Sequence, residues 1–363
     1  MNTELFRLRD PKRARDFQRL LSRLAPSHPV KIVHVCGTHE ITIAQYGLRS
    51  LLPENVEVFE GPGCPVCVTS TQDLDCALQI AERGAILCTF GDMTRVPGSR
   101  MTLEEARAEG ADVRVVLSAA DAVEIARRNP EKPVVFFAVG FETTAPGTAA
   151  VLLDNPPDNF FVLVSHKLIP PALAALLSQE PREISAFLAP GHVSTVIGAG
   201  AYRPLAEEFR VPIVVAGFEP LDILYGLSLI LRQLREGRAG VENAYPRAVT
   251  EEGNLRAQEL FREVFRIGPA IWRGIGEIPD SGFYLREEFR DHDAQKEFGV
   301  VGRMGEEKPP GCRCAEVLMA KAIPTDCPLY EKVCTPLTPV GPCMVGAEGA
   351  CNIWYRYSGR PRL

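Results

Sequence analysis

Between Thr89 and Gly311 this sequence has no cysteine, although its 363 residues include eleven. It also has no long hydrophobic run. The most apolar stretches, residues 133–141 and 160–165, fall far short of the roughly 20 residues that a membrane-spanning helix needs. A helical membrane span is therefore excluded. The N-terminal residues 1–21 carry charge but no apolar leader core, so a cytoplasmic location is expected. Basic charge is not in excess: 40 Lys and Arg face 46 Asp and Glu, for a net charge of -6. That balance argues against a nucleic-acid-binding protein, which would carry a basic face. An odd number of cysteines in a reducing compartment argues against a disulfide framework and for metal binding or thiol chemistry.

The length points to two or three domains, and a hydrophobic content of 46% is enough to fill their cores. Residues 10–24 are amphipathic, with Phe17, Leu20, Leu21 and Leu24 on one helical face. Short apolar strands then alternate with helices. Strands are expected at 31–35, 56–59, 85–90, 113–117, 134–139, 160–164, 184–188 and 212–216, with helices at 72–83, 103–109 and 119–128. The strands are apolar throughout, which identifies parallel sheets covered on both faces and hence an α/β fold. The expected division is an α/β domain over 1–130, a second over 131–240, and a helical and irregular segment over 241–363. Beyond a helix at 251–265, that last segment is dominated by Gly, Pro and Cys, a composition that calls for a metal or cluster to hold it together.

In parallel sheets ligands bind beyond the carboxyl ends of the strands, and the polar motifs fall there. Cys36-Gly-Thr38-His39-Glu40 follows the first strand and Gly-Pro-Gly-Cys64-Pro-Val-Cys67 the second. Glu142, Thr143 and Thr144 follow the 134–139 strand, and His192 and Ser194 follow 184–188. Cys36 is either a nucleophile or soft metal ligand, with His39 as base or supporting donor, or else a packed thiol. Cys64 and Cys67 form a CxxC. A helix starting near Cys67 would lower a thiol pKa through its dipole and favour dithiol–disulfide exchange; the alternative is half a zinc site. Cys76 and Cys88, in a helix and a strand, are expected in the core. Cys314, Cys327, Cys334 and Cys351 are spaced C-x12-C-x6-C-x16-C, with Cys312 and Cys343 nearby. The absence of tight CxxC knuckles there, and prolines close after Cys327 and Cys334, favour a 4Fe-4S cluster over zinc. Spacing alone leaves open which four of the six are ligands.

CGTHE, GPGCPVC, GFETT, PGHVSTVIG, GFEPLDIL and the terminal cysteine spacing resemble, in order and over essentially the whole chain, the hydrogenase maturation protein family HypD. Gly191 and Gly346 stand where members often carry Ser, at positions without obvious chemistry. The resemblance implies two α/β domains and a cluster-bearing third. It also implies a maturation scaffold with thiol redox activity, in place of a conventional enzyme. Such a scaffold assembles the Fe(CN)2CO unit of NiFe-hydrogenase with a HypC-type small chaperone, and takes cyanide from a HypE-type donor. It passes the iron unit, through HypC, to the hydrogenase large subunit. By this resemblance Cys36 binds the iron, with Thr38, His39, Glu142, Thr143 and His192 around it. Cys64 and Cys67 are the redox pair, and Cys314, Cys327, Cys334 and Cys351 hold the 4Fe-4S cluster. The competing classes are a cluster-dependent protein disulfide reductase using Cys64 and Cys67, and a zinc-stapled binding protein.

Overall fold

The computed structural model describes residues 9–302 and 309–357; part of the N-terminal stretch read for a leader lies outside them. The strands, in chain order, are β1 (Val30–His34), β2 (Val56–Glu60), β3 (Ile86–Thr89), β4 (Val113–Val115), β5 (Val134–Gly140), β6 (Phe160–His166), β7 (Ala186–Pro190), β8 (Ile213–Ala216), β9 (Val241–Asn243), β10 (Phe265–Trp272) and β11 (Gly276–Leu285). Among the described residues they form two parallel sheets, ordered β2-β1-β7-β8-β9 and β4-β3-β5-β6, and one antiparallel hairpin, β10-β11. Every residue of β3, β5, β7 and β8 is buried, because helices cover both sheet faces. The fold is α/β, as the apolar strands indicated.

The pairing crosses the boundary expected at 130. β3 pairs with β5, and β1 pairs with β7 some 150 residues further on. The first sheet is thus closed by strands from both ends of the α/β region, and the second is made from the chain between them.

The helix Pro11–Leu24 starts where the Asp10 carboxylate accepts the N–H groups of Lys12 and Arg13, an N-cap that satisfies otherwise unpaired donors. It packs on the helix Pro220–Arg235. That helix, with Ala145–Leu153 and Ile169–Leu177, went unread in the sequence. The last two are apolar almost all round, which hides the 3.6-residue period. Residues 265–285 are more regular than their composition suggested. β10 and β11 turn at Gly274 and Gly276, both with positive φ, and bury Trp272 against Phe141.

Candidate thiol-lined site

The carboxyl ends of both sheets meet at one cleft of about 460 Å³. Cys36, Pro190 and His192 reach it from the first sheet, Thr143 and Thr144 from the second, and Glu348 from the C-terminal segment. Cys36 is the N-cap of the helix Gly37–Gln45 and is 7% exposed. Burial pushes its thiol up to about 12, while the N–H groups of His39 and Thr38 at the helix start pull the other way. The GPGCPVC loop lies directly behind it: a Cβ on Gly63 would stand 2.1 Å from the Cys36 nitrogen. Only glycine allows that approach.

His192 stacks on Phe218 with ring centroids 3.8 Å apart. Burial lowers its pKa, and Glu348 opposes the shift. Thr38 donates to Glu348 Oε1 at 3.0 Å. Two other motif residues turn away from the cleft lining. His39 is fully buried behind Phe218. Its Nε2–H donates to the Gly217 carbonyl at 2.9 Å, and burial drops its pKa to about 3, so it is neutral. Glu142 is buried, accepts the Ile169 N–H at 2.9 Å and is pushed by burial to about 7.

The CxxC thiols are not activated in the way a helix dipole would activate them. The helix there is one turn, Pro65–Val68, and burial raises both Cys64 and Cys67. With the two residues 1% and 0% exposed, desolvation of a thiolate outweighs a dipole of that length. All eleven cysteines are free in this structure.

Cys343 joins this pair to the C-terminal cysteines. Its backbone N–H donates to Cys314 Sγ at 3.4 Å on one side, and on the other the carbonyl of the preceding Pro342 lies 4.0 Å from Cys67 Sγ. Cys314 in turn contacts Cys312 and Cys351, and Cys351 feels the charge of Cys334. Cys327 belongs to the same buried core. Among the described residues no three His, Cys, Asp or Glu side chains stand in a ligand arrangement around a metal position. The donor chemistry nonetheless fits an iron–sulfur cluster. The donors are thiols in an apolar core, and backbone N–H groups point at sulfur: Val340 to Cys334 at 3.3 Å and Cys343 to Cys314 at 3.4 Å. Such bonds favour thiolate and tune a cluster. Cys76 and Cys88 are core residues, as expected.

Sequence reasoning missed Glu348, the one carboxylate that lines the cleft among the described residues. Its segment, Gly-Ala-Glu-Gly-Ala-Cys351, has no strand end or motif to mark it. It also missed Phe218 as the plate between His192 and His39, and Cys343 as the joint between the two thiol groups.

Fold and site together define a two-sheet α/β thiol protein whose cleft backs onto a string of buried cysteines. The family model HypD, described as the hydrogenase formation hypA family, matches residues 12–358. The chain is 47% identical over 331 residues to a putative hydrogenase expression/formation protein of Methanocaldococcus jannaschii, covering 90% of this chain and 92% of that one. It is 45% identical over 355 residues to the hydrogenase maturation factor HypD of Azotobacter vinelandii, covering 95% and 93%. Against the factor of the same name from Escherichia coli it is 45% identical over 334 residues, covering 91% and 89%. The chain belongs to the HypD family of hydrogenase maturation factors. Among the described residues no helix is long and apolar enough to cross a membrane.

Proposed function

We propose that this protein is a cytoplasmic scaffold on which the Fe(CN)2CO unit of NiFe-hydrogenase is assembled. It works with a HypC-type small chaperone, takes cyanide from a HypE-type donor and releases the iron unit toward the hydrogenase large subunit. One observation carries the reading: Cys36 opens onto a cleft of about 460 Å³, whereas Cys64 and Cys67 are closed off behind it. Low-spin iron with cyanide and CO is a soft substrate that suits a thiolate. Burial favours the protonated Cys36 thiol, so binding of iron displaces that proton. The N–H groups of Thr38 and His39 then face the sulfur charge. Thr143, His192 and Glu348 supply polar contacts to the iron's other ligands, and His39 and Glu142 support the walls from behind.

Cys314, Cys327, Cys334 and Cys351 would hold a 4Fe-4S cluster, with Cys312 and Cys343 beside them. When bound, that group supplies one-electron exchange. Oxidation of Cys64 and Cys67 to a disulfide releases two electrons and two protons, and Cys343 lies on the path between the pair and Cys314. The disulfide-reductase reading draws on the same string of thiols. It requires a substrate disulfide to reach the attacking sulfur, and the buried pair offers no such access.

The test is infrared spectroscopy of the anaerobically purified protein, co-expressed with its small chaperone. Cyanide and CO stretching bands are expected in the wild type. They are expected to be lost in Cys36→Ala while the cluster's visible absorption stays. Bands that persist in the variant would remove Cys36 as ligand. Their absence from a wild-type preparation with intact cluster and bound partner would favour the reductase.

A further inference from the structure

Glu40 belongs to the CGTHE motif but does not line the cleft. It is completely buried, and four donors converge on its carboxylate. Arg49 grips it with both Nη atoms at 2.8 Å. His34 Nε2 lies at 2.7 Å from Oε2, and Trp354 Nε1 at 2.7 Å from Oε1. The three residues that supply them come from different parts of the fold. His34 ends β1. Arg49 also donates to the Val58 carbonyl of β2, through Nε and Nη2, at 3.1 Å each. Trp354 sits on the C-terminal helix Ala350–Tyr357, three residues past Cys351, and the Arg49 guanidinium lies 5.2 Å from its ring centroid.

Six residues before Trp354, Glu348 closes the cleft. Its backbone packs so tightly on the helix Gly37–Gln45 that a Cβ on Gly37 would come within 2.4 Å of the Glu348 carbonyl oxygen. Thr38 holds its carboxylate from the same helix. The C-terminal segment therefore meets the Cys36 helix at two places, Glu40–Trp354 and Gly37/Thr38–Glu348. Only the first is a buried, charge-assisted junction, the kind that fixes one arrangement against alternatives. A buried ion pair adds little net stability over apolar packing, and its attested use is to specify register.

We propose that Glu40, Arg49 and Trp354 form a latch that seats the C-terminal cysteine segment against the Cys36 helix, so that the Glu348 wall of the cleft exists only when that segment is docked. The inference rests on the cleft being the working site, as proposed above. The three are positioning residues. They act through Glu348 and Cys36, and they make a finished cysteine segment a condition for a finished iron cleft. Neither Arg49 nor Trp354 lies in any of the motifs read from the sequence.

Trp354→Phe keeps an aromatic ring at this place and removes the N–H donor together with the five-membered half of the indole. Arg49→Lys keeps the charge and removes the two-pronged grip. The readout is the rate of Cys36 alkylation by iodoacetamide in cluster-containing protein without the iron unit, followed by peptide mass mapping. Buried Cys76 serves as internal reference, and visible absorption and melting temperature as controls for folding. Each variant is expected to raise the Cys36 rate about tenfold, the scale of one lost charge-assisted hydrogen bond, with Cys76 unchanged and the cluster absorption retained. An unchanged Cys36 rate in both folded variants would overturn the latch. So would Cys36 and Cys76 rising together, which marks general loosening. Because the readout needs no iron unit, missing infrared bands in the wild type would defeat the functional reading and leave the latch standing on its own result.

Discussion

Glu142 sits between the two states of a carboxyl group. Its ordinary value of 4.5 rises to about 7 because it is fully buried, and one of its oxygens has no hydrogen-bond partner. Between those values the folded protein binds a proton that the unfolded chain does not. Stability contributed by the neutral acid is complete below about 4.5 and is lost as pH rises through 7. Glu142→Gln is therefore expected to melt at the same temperature as the wild type at pH 5. At pH 8 it should be more stable, by on the order of 2–3 kcal/mol. Parallel melting curves of the two proteins across pH 5–8 would refute this. The same residue marks where reading by motif stops. GFETT announces polar residues at a strand end, but only packing shows that Thr143 enters the cleft and Glu142 turns into the core. Likewise His192 faces the cleft while His39 is held against the Gly217 carbonyl. Residue type and strand-end position say nothing about which way a side chain points.

Strands were the most legible elements. β1, β2, β3, β5, β6 and β8 all begin within a residue of where their apolar runs begin, because a strand covered on both faces is simply a short apolar segment. Helices with uniform apolarity, such as Ile169–Leu177, carry no such period and were lost. The junctions between elements were legible as glycine and proline but not as contacts. Gly63 is the clearest case. Gly63→Ala would press its methyl into the backbone of Val35 and Cys36, which cannot give way as a flexible side chain would. The cost is expected to be at least ~2 kcal/mol, seen as a lower urea midpoint. The CxxC loop should shift off Cys36, seen as faster Cys36 alkylation. A variant with wild-type midpoint and alkylation rate would mean that the loop has slack the geometry does not show.

At the scale of the whole molecule the two ends of the chain share one core: Cys64 and Cys67 pack with Cys312, Cys314, Cys327, Cys334, Cys343 and Cys351. Cys334→Ala is expected to abolish the visible absorption of the cluster, while the α/β sheets keep their far-ultraviolet circular dichroism. An unchanged spectrum would move the ligand role to Cys343 or Cys312. The amino-acid sequence by itself determined the α/β class, the placing of motifs after strands and the family, because these depend on local pattern and on residue identity at fixed spacing. The contiguous halves at 1–130 and 131–240 did not survive as sheets, since parallel pairing joins strands far apart in sequence and leaves no local trace of its partner. Tertiary structure alone decided that both sheets share one cleft, that Glu348 closes it, that Cys343 joins the thiol groups and that Glu40 ties them to the helix bearing Cys36. Each of these is a meeting of residues up to some three hundred positions apart, set by packing and by the need to pair buried polar groups.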